Sequence, residues 1–139
     1  MRYISTRNDS APATFSTALM RGIAPDGGLY VPATWPRFES RAKPSALPAF
    51  AADLLQPFVA DDALADDLGA ITAEAFSLPA PLVEIPGYSA EVLELFHGPT
   101  AAFKDFGARF LAGAMARIRA GAWWRLPTAM NFMRAPPLR

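Results

Sequence analysis

The chain contains no cysteine, and this absence excludes disulfide bonds, thiolate metal ligands and a cysteine nucleophile. It also lacks any apolar run near the ~20 residues that cross a bilayer, because Arg109 and Arg117 interrupt the most apolar stretch. The opening residues, MRYISTRNDS, lack the apolar core of a secretory signal. We therefore expect a soluble, cytoplasmic protein with no membrane partner.

Lysine is also scarce, since the chain has only Lys43 and Lys104 beside eleven arginines. The thirteen basic and thirteen acidic side chains cancel, so no overall field attracts nucleic acid, and we expect no such partner. The charges are nevertheless uneven, because every acidic side chain lies at or before Asp105 and six arginines follow it. With 139 residues, 52% of them hydrophobic, the chain is long enough for one domain with a core.

The N-terminal part predicts a helix, a tight turn and a short strand. The segment ATFSTALMRG has Thr14 or Ser16 as its N-cap and Gly22 as its C-terminal stop. Residues 25–28, PDGG, form a strong turn signal, and residues 29–31 that follow are β-formers.

The middle of the chain predicts a loop and then a helical region. Residues 33–48 are spaced by prolines and predict a surface loop, whereas residues 49–76 have helical spacing that Pro57 should break. Four acidic residues should form a solvated face, with a carboxylate metal site as the alternative: Asp61, Asp62, Asp66 and Asp67.

Two strands and a long helix are predicted next. The segment SLPAPLVEIPG indicates a short strand and a turn at Gly87, and EVLELF alternates like a second strand. From Asp105 onward the apolar residues recur at helical spacing. Lys104 should therefore lie at a strand-to-helix junction.

Residues 120–139 differ from the rest of the chain. They have no period, contain the adjacent Trp123 and Trp124, and repeat proline and arginine without an acidic partner. We hypothesise that folding-competent sequence stops near Arg119 and that the tail is a truncation or frameshift product.

The surroundings of Lys104 suggest a reactive amine. A cation in the first turn of a helix opposes the helix dipole, and Phe103 and Phe106 would exclude water if the junction is buried. Both effects favour the neutral amine, the form that attacks an aldehyde, although the charge of Asp105 acts the other way. The alternative is a lysine that extends past its aromatic neighbours into water.

Three segments of the chain resemble threonine synthases. LELFHGPTAAFKDFGARF resembles the segment that carries the pyridoxal phosphate lysine of that family, and its HGPT-x-AFKDF element is highly specific. FSTALMRGIAPDGGLYVP and the opening MRYISTR resemble the family's N-terminal segment, in the same order. The agreement extends in patches from Met1 to about Arg119.

The resemblance implies a fold-type II pyridoxal phosphate enzyme that converts O-phospho-L-homoserine to L-threonine and phosphate. Lys104 would be the internal-aldimine lysine and a proton shuttle, with Phe103 and Asp105 beside it as cofactor-binding neighbours. His97 matches the motif but is more often a structural hydrogen bonder at such a position. Residues 98–100 should shape the turn, where Thr100 is a candidate helix cap.

The chain also departs from the family pattern. Ala101 replaces a leucine usual in the family, and residues 8–14, NDSAPAT, differ from the usual glycine-containing loop. A phosphate cradle needs glycine-rich backbone at a helix N-terminus, whereas Gly27–Gly28 precedes a strand. The family's phosphate loops should lie after the Lys104 helix, so we expect weak or no pyridoxal phosphate binding and no turnover by this chain alone.

The predicted architecture is a helix-rich α/β unit with a few short strands, the N-terminal part of a fold-type II enzyme whose parallel sheet is largely missing. Residues 1–86 would form the threonine synthase-like N-terminal domain, 87–119 the start of the cofactor domain, and 120–139 the atypical tail. The apolar strand VLELF would be an unpaired edge. The alternative function is a non-catalytic interaction or regulatory module, and an unrelated aldehyde-binding protein is the third hypothesis.

Overall fold

The computed structural model describes residues 1–38 and 46–123, and the side chains of residues 122–123 lie outside that description. The helices and strands are, in chain order, β1 (Tyr3–Ser5), α1 (Phe15–Arg21), β2 (Tyr30–Pro32), α2 (Leu47–Val59), α3 (Leu68–Ala75), β3 (Leu82–Glu84), β4 (Glu91–Leu93) and α4 (Lys104–Trp123). This mixture of helices and short strands confirms the expected helix-rich character.

The N-terminal unit consists of α1 and the antiparallel pair β1–β2, in which Ile4 lies opposite Val31. Thr14 caps α1 as predicted, because its side chain accepts a hydrogen bond from the Thr17 amide. Gly22 ends the helix with a φ of 71°, a conformation that glycine adopts at little cost. A small core of Tyr3, Ala13 and Ala18 joins the helix to the strands.

The second core lies between α3 and α4 and reaches α1. Its buried members are Leu64, Ile71 and Ala114, and four partly buried side chains pack against them: Phe15, Leu19, Phe110 and Ile118. The predicted helical spacing is therefore confirmed at α3, where Leu68, Ile71 and Ala75 are all buried. An ion pair between Glu74 and Arg117, with N and O atoms 2.7 Å apart, supports the α3–α4 contact at the surface.

Helix α2 does not break at Pro57, so that prediction was wrong. Pro57 lies inside the helix, which begins at Leu47 within the predicted loop and continues to Val59. Proline deprives the carbonyl four residues earlier of its partner, and here that residue is the exposed Asp53. The proline lies in the last turn, and the helix ends two residues later at Val59.

The predicted solvated acidic face is confirmed for the exposed Asp66 and Asp67 and wrong for Asp62. Asp62 is partly buried and accepts hydrogen bonds from the Ser16 amide at 2.8 Å and from the Ser16 hydroxyl. Burial works to raise the pKa of Asp62, but the hydrogen bonds from Ser16 and Leu64 outweigh it and lower that pKa. Asp61 contacts the N-terminal amine. The described residues contain no group of three or more metal-ligating side chains.

Strands β3 and β4 form an antiparallel hairpin, with Val83 opposite Val92, and a turn at Gly87 connects them. The expected unpaired edge strand was therefore wrong, because β4 pairs with its predecessor in sequence. Both sheets within the described residues are antiparallel pairs. All six hairpin strand residues are exposed.

The predicted domain boundaries stay predictions. Helix α4 continues through Trp123, past the expected limit of folding-competent sequence at Arg119. The rest of the predicted tail, residues 124–139, lies outside the described residues, as do residues 39–45 of the predicted loop.

None of the helices in the described ranges is long and apolar enough to cross a membrane.

Candidate functional site at the start of helix α4

Lys104 is the first residue of α4, and its side chain is exposed. The predicted helix is confirmed, but Lys104 does not lie directly at a strand end, because residues 94–103 separate it from β4. Phe103 is 73% exposed and only Phe106 is buried, so the two phenylalanines do not exclude water from Lys104. The condition for a water-excluded amine, a buried junction, is therefore not met, and the exposed Lys104 fits the alternative of a lysine that extends into water.

The packing of Phe106 explains the exposure of Lys104. The Phe106 ring stacks on Phe76, with centroids 6.2 Å apart, and Phe110 lies at the same distance from Phe76. Two residues along a helix are separated by about 200° around its axis. Lys104 therefore points away from the face that Phe106 packs against α3.

Asp105 is buried, at 7% exposure, and both of its carboxylate oxygens have the same partner. It accepts a hydrogen bond from the Thr100 amide at 2.9 Å and one from the Thr100 hydroxyl at 2.8 Å. We call this pair of bonds the Asp105–Thr100 clasp. The predicted capping role of Thr100 was wrong, because its hydroxyl donates to Asp105 instead of accepting from a helix amide.

The turn before α4 is tight. The Ala101 amide donates to the Gly98 carbonyl at 3.0 Å, and Ala101 has a φ of 52°. A Cβ at Gly98 would collide with the Asp105 side chain, which explains why glycine is required there. The amides of Asp105 and Phe106 donate to carbonyls three residues earlier, so the first turn of α4 is narrow.

His97 is exposed, and its Nε2 lies 2.7 Å from a carboxylate oxygen of Glu94. Its ring packs against Phe96, with centroids 4.8 Å apart. These contacts fit the hydrogen-bonding role that the sequence favoured for His97.

A hydrogen-bond network around Asp26 was not predicted from the sequence. The Asp26 carboxylate accepts from the Ser5 hydroxyl at 2.7 Å, from the Gly28 amide at 2.9 Å and from the Asp9 amide at 3.0 Å. The Arg7 guanidinium donates to the Asp26 carbonyl at 3.0 Å. The aspartate inside the PDGG turn was the available signal, because aspartate accepts amide hydrogens in tight turns.

The hydrogen bond from Ser5, assisted by the amides of Gly28 and Asp9, lowers the pKa of Asp26 to about 2 despite partial desolvation. The network ties the loop after β1 to the loop before β2. It therefore gives the STR segment at residues 5–7 a structural role.

The described residues fit pyridoxal phosphate only in part. The exposed amine of Lys104 is accessible to an aldehyde. The Gly28 amide, in contrast, already donates to Asp26. A cavity of about 440 Å³ at the hairpin is lined by Glu84 and Glu91, whose charges repel a phosphate. Within residues 1–38 and 46–123 we find the exposed amine of Lys104 but no phosphate cradle.

The chain is similar to threonine synthases in sequence. The family model for the threonine synthase N terminus matches residues 2–76. The threonine synthase of Pseudomonas aeruginosa is 41% identical over 129 residues, which cover 86% of this chain and 27% of that protein. The Corynebacterium glutamicum threonine synthase is 39% identical, over 80% of this chain and 26% of that protein.

Two solved structures share the fold. The crystal structure of pyridoxal phosphate-bound threonine synthase from Brucella melitensis superposes with a TM-score of 0.79 at 36% identity, over 88% of this chain and 28% of that chain. The Escherichia coli threonine synthase structure superposes with a TM-score of 0.75 at 29% identity. The chain thus spans little more than a quarter of the length of these relatives.

Proposed function

The chain belongs to the threonine synthase family, and we propose that Lys104 is the residue that binds pyridoxal phosphate for the conversion of O-phospho-L-homoserine to L-threonine and phosphate. The observation that carries the proposal is the exposed Lys104 amine at the first residue of α4, inside the HGPTAAFKDF element. The relative from Brucella melitensis is a pyridoxal phosphate-bound threonine synthase, which supports the cofactor assignment.

Lys104 and its neighbour Phe103 each have a proposed task. The neutral amine of Lys104 would hold the cofactor by condensing with its aldehyde, with release of water, and after the substrate displaced it Nζ would hold and return a proton. Phe103, exposed beside it, offers an apolar surface to the bound cofactor. Pyridoxal phosphate supplies an electron sink that stabilises carbanions.

The complete reaction requires groups beyond those described. A phosphate cradle would hold both the cofactor and the phosphorylated substrate, and the described residues contain none. The chain covers 27% of the Pseudomonas aeruginosa enzyme. We propose that this chain supplies the lysine segment of a fold-type II enzyme, binds pyridoxal phosphate weakly by itself and does not turn over O-phospho-L-homoserine alone.

A second candidate function is a non-catalytic interaction module. It is favoured by four exposed apolar side chains of the hairpin: Leu82, Val83, Val92 and Leu93. A partner protein would pack against this apolar surface. In that case the chain would not need a reactive amine, so the behaviour of Lys104 distinguishes the two functions.

A pyridoxal phosphate titration of the 139-residue chain, followed by absorbance, tests the proposal. We expect a saturable adduct band in the wild type and in Lys43→Ala, and its loss in Lys104→Ala. Circular dichroism of the three proteins controls for folding. An equal, non-saturating signal in all three would contradict the proposal and leave the interaction module as the better account.

A further inference from the structure

We propose that Asp105 is a positioning residue, whose clasp on Thr100 fixes the turn that presents Lys104 to the cofactor. The inference rests on the proposed function of Lys104. The resemblance placed Asp105 beside the cofactor lysine without a specific task, and the inference gives it one, because the Asp105 carboxylate is turned toward Thr100 and is buried.

The clasp is complete in itself. Thr100 donates its amide to one carboxylate oxygen of Asp105 and its hydroxyl to the other, at 2.9 and 2.8 Å. Hydrogen bonds to an ionised acceptor are stronger than neutral ones, and a buried carboxylate that loses its donors is destabilised. The backbone of Gly98 lies against the same carboxylate. The Thr100 amide, the Thr100 hydroxyl and Gly98 are therefore all in contact with one side chain.

The turn needs this support because its backbone is strained at Ala101. Ala101, next to Thr100, has a φ of 52°, a left-handed conformation that is strained for residues with a Cβ. Without the clasp, residues 98–103 would relax toward ordinary backbone angles. Lys104 follows this turn directly and begins α4. Relaxation of the turn would therefore move the Lys104 Cα, from which the side chain extends.

Asp105 has a second conceivable role, in which its negative charge acts on the Lys104 amine directly. The substitution Asp105→Asn separates the two roles. The asparagine side chain retains the clasp, because its oxygen accepts from the Thr100 amide while its NH₂ group donates to the Thr100 hydroxyl. This substitution removes only the charge, whereas Asp105→Ala removes both the charge and the clasp.

The test compares four proteins: the wild type, Asp105→Asn, Asp105→Ala and the matched control Asp53→Ala, since Asp53 is an exposed aspartate on helix α2. Pyridoxal phosphate is the probe. Borohydride trapping and peptide mapping give the rate of labelling at Lys104 relative to Lys43. Hydrogen exchange of the Thr100 amide, measured by NMR, reports the clasp without any cofactor.

We expect Asp105→Ala to lower the Lys104 labelling rate by about tenfold and to abolish protection of the Thr100 amide. Asp105→Asn should keep both within about twofold, and Asp53→Ala should resemble the wild type. Equal losses in the asparagine and alanine variants would overturn the inference in favour of direct charge. Unchanged labelling in Asp105→Ala would also overturn it.

The failure of the inference differs from the failure of the proposed function. An unprotected Thr100 amide in a wild type that labels selectively at Lys104 overturns the clasp alone. A wild type that labels Lys104 and Lys43 equally contradicts the function of Lys104, and the inference falls with it.

Discussion

At the scale of single residues, a few carboxylates determine the conformation of the loops. Asp26 accepts hydrogen bonds from Ser5, Asp9 and Gly28, and Asp105 accepts two from Thr100. In both cases the aspartate accepts hydrogen bonds from backbone amides that have no partner in a helix or sheet. These amides are thereby satisfied within the protein instead of by water.

The first prediction concerns acid stability through Asp26. Its pKa is lowered from 3.8 to about 2, so its ionised form contributes stability above 3.8 that is lost as the pH falls through 2. We expect Asp26→Asn to be less stable than the wild type at about pH 6. The difference between the two proteins should narrow from about pH 4 to about pH 2 in urea unfolding curves. A difference that stays constant across this range would contradict the assignment.

The second prediction concerns the positive φ of Ala101. A β-branched side chain is strained in this region, so Ala101→Val should lower the free energy of unfolding by about 1–2 kcal/mol. Ala101→Gly is the matched variant and should not destabilise the chain, because glycine adopts the same φ freely. Denaturant unfolding measures both. Equal stability of the valine and glycine variants would show that Ala101 is not held in this conformation.

The sequence motif named the candidate residues at Lys104 but did not predict their exposure or their contacts. The HGPTAAFKDF element singled out Lys104, and its neighbours Phe103 and Asp105 were named with it. The exposure of Phe103 and the burial of Asp105 reversed the simple expectation that aromatic residues are buried and carboxylates exposed. Burial depends on which face of α4 packs against α3, and the sequence motif does not contain that information.

At the scale of helices and strands, Asp62 connects parts of the fold that are distant in sequence. It accepts from the amide and hydroxyl of Ser16 at the start of α1 and from the Leu64 amide in the turn before α3. Its side chain therefore joins α1 to the turn between α2 and α3. A purely helical pattern of acidic residues did not reveal this connection.

The third prediction tests that connection. Asp62→Ala should lower the free energy of unfolding by about 1–2 kcal/mol, because it leaves the Ser16 donors without their acceptor in a partly buried position. Asp66→Ala, at an exposed position, should change it by less than about 0.5 kcal/mol. Equal effects of the two substitutions in urea denaturation would mean that the contact to α1 does not contribute to stability.

Helix ends and turns were predictable where a local residue determines them, and harder to predict where tertiary packing decides. Thr14 and Gly22 marked the ends of α1 correctly, because capping is a local interaction. Pro57 did not end α2, and the strand at residues 91–93 paired with β3 instead of remaining unpaired. Both outcomes depend on neighbouring elements that a local pattern does not specify.

At the scale of the whole molecule, the β3–β4 hairpin is the least covered part of the described fold. Directly opposite residues of an antiparallel pair share a face. Leu82 and Leu93 therefore lie on one face at 58% and 54% exposure, and Val83 and Val92 lie on the other, also exposed. A two-stranded hairpin with apolar side chains on both faces is marginally stable alone and promotes association.

The fourth prediction is that the hairpin causes self-association. The double substitution Leu82→Glu with Leu93→Lys places opposite charges at a directly paired position, which preserves pairing and removes apolar surface. In sedimentation velocity, the wild type should show a sedimentation coefficient that rises with concentration, and the double variant should not. Ile23→Glu, at another exposed apolar position, is the control and should behave as the wild type. Association that persists in the double variant would exclude the hairpin as its cause.

The central claim, that Lys104 is the cofactor lysine, is tested most directly by where pyridoxal phosphate attaches to the chain. The measurement is borohydride reduction of the 139-residue chain with limiting cofactor, followed by peptide mapping of the label among Lys104, Lys43 and the N-terminal amine. We predict that most of the label is on Lys104 and that the selectivity disappears when the chain is unfolded in urea before reduction. Label divided equally among the three amines in the folded chain would contradict the claim.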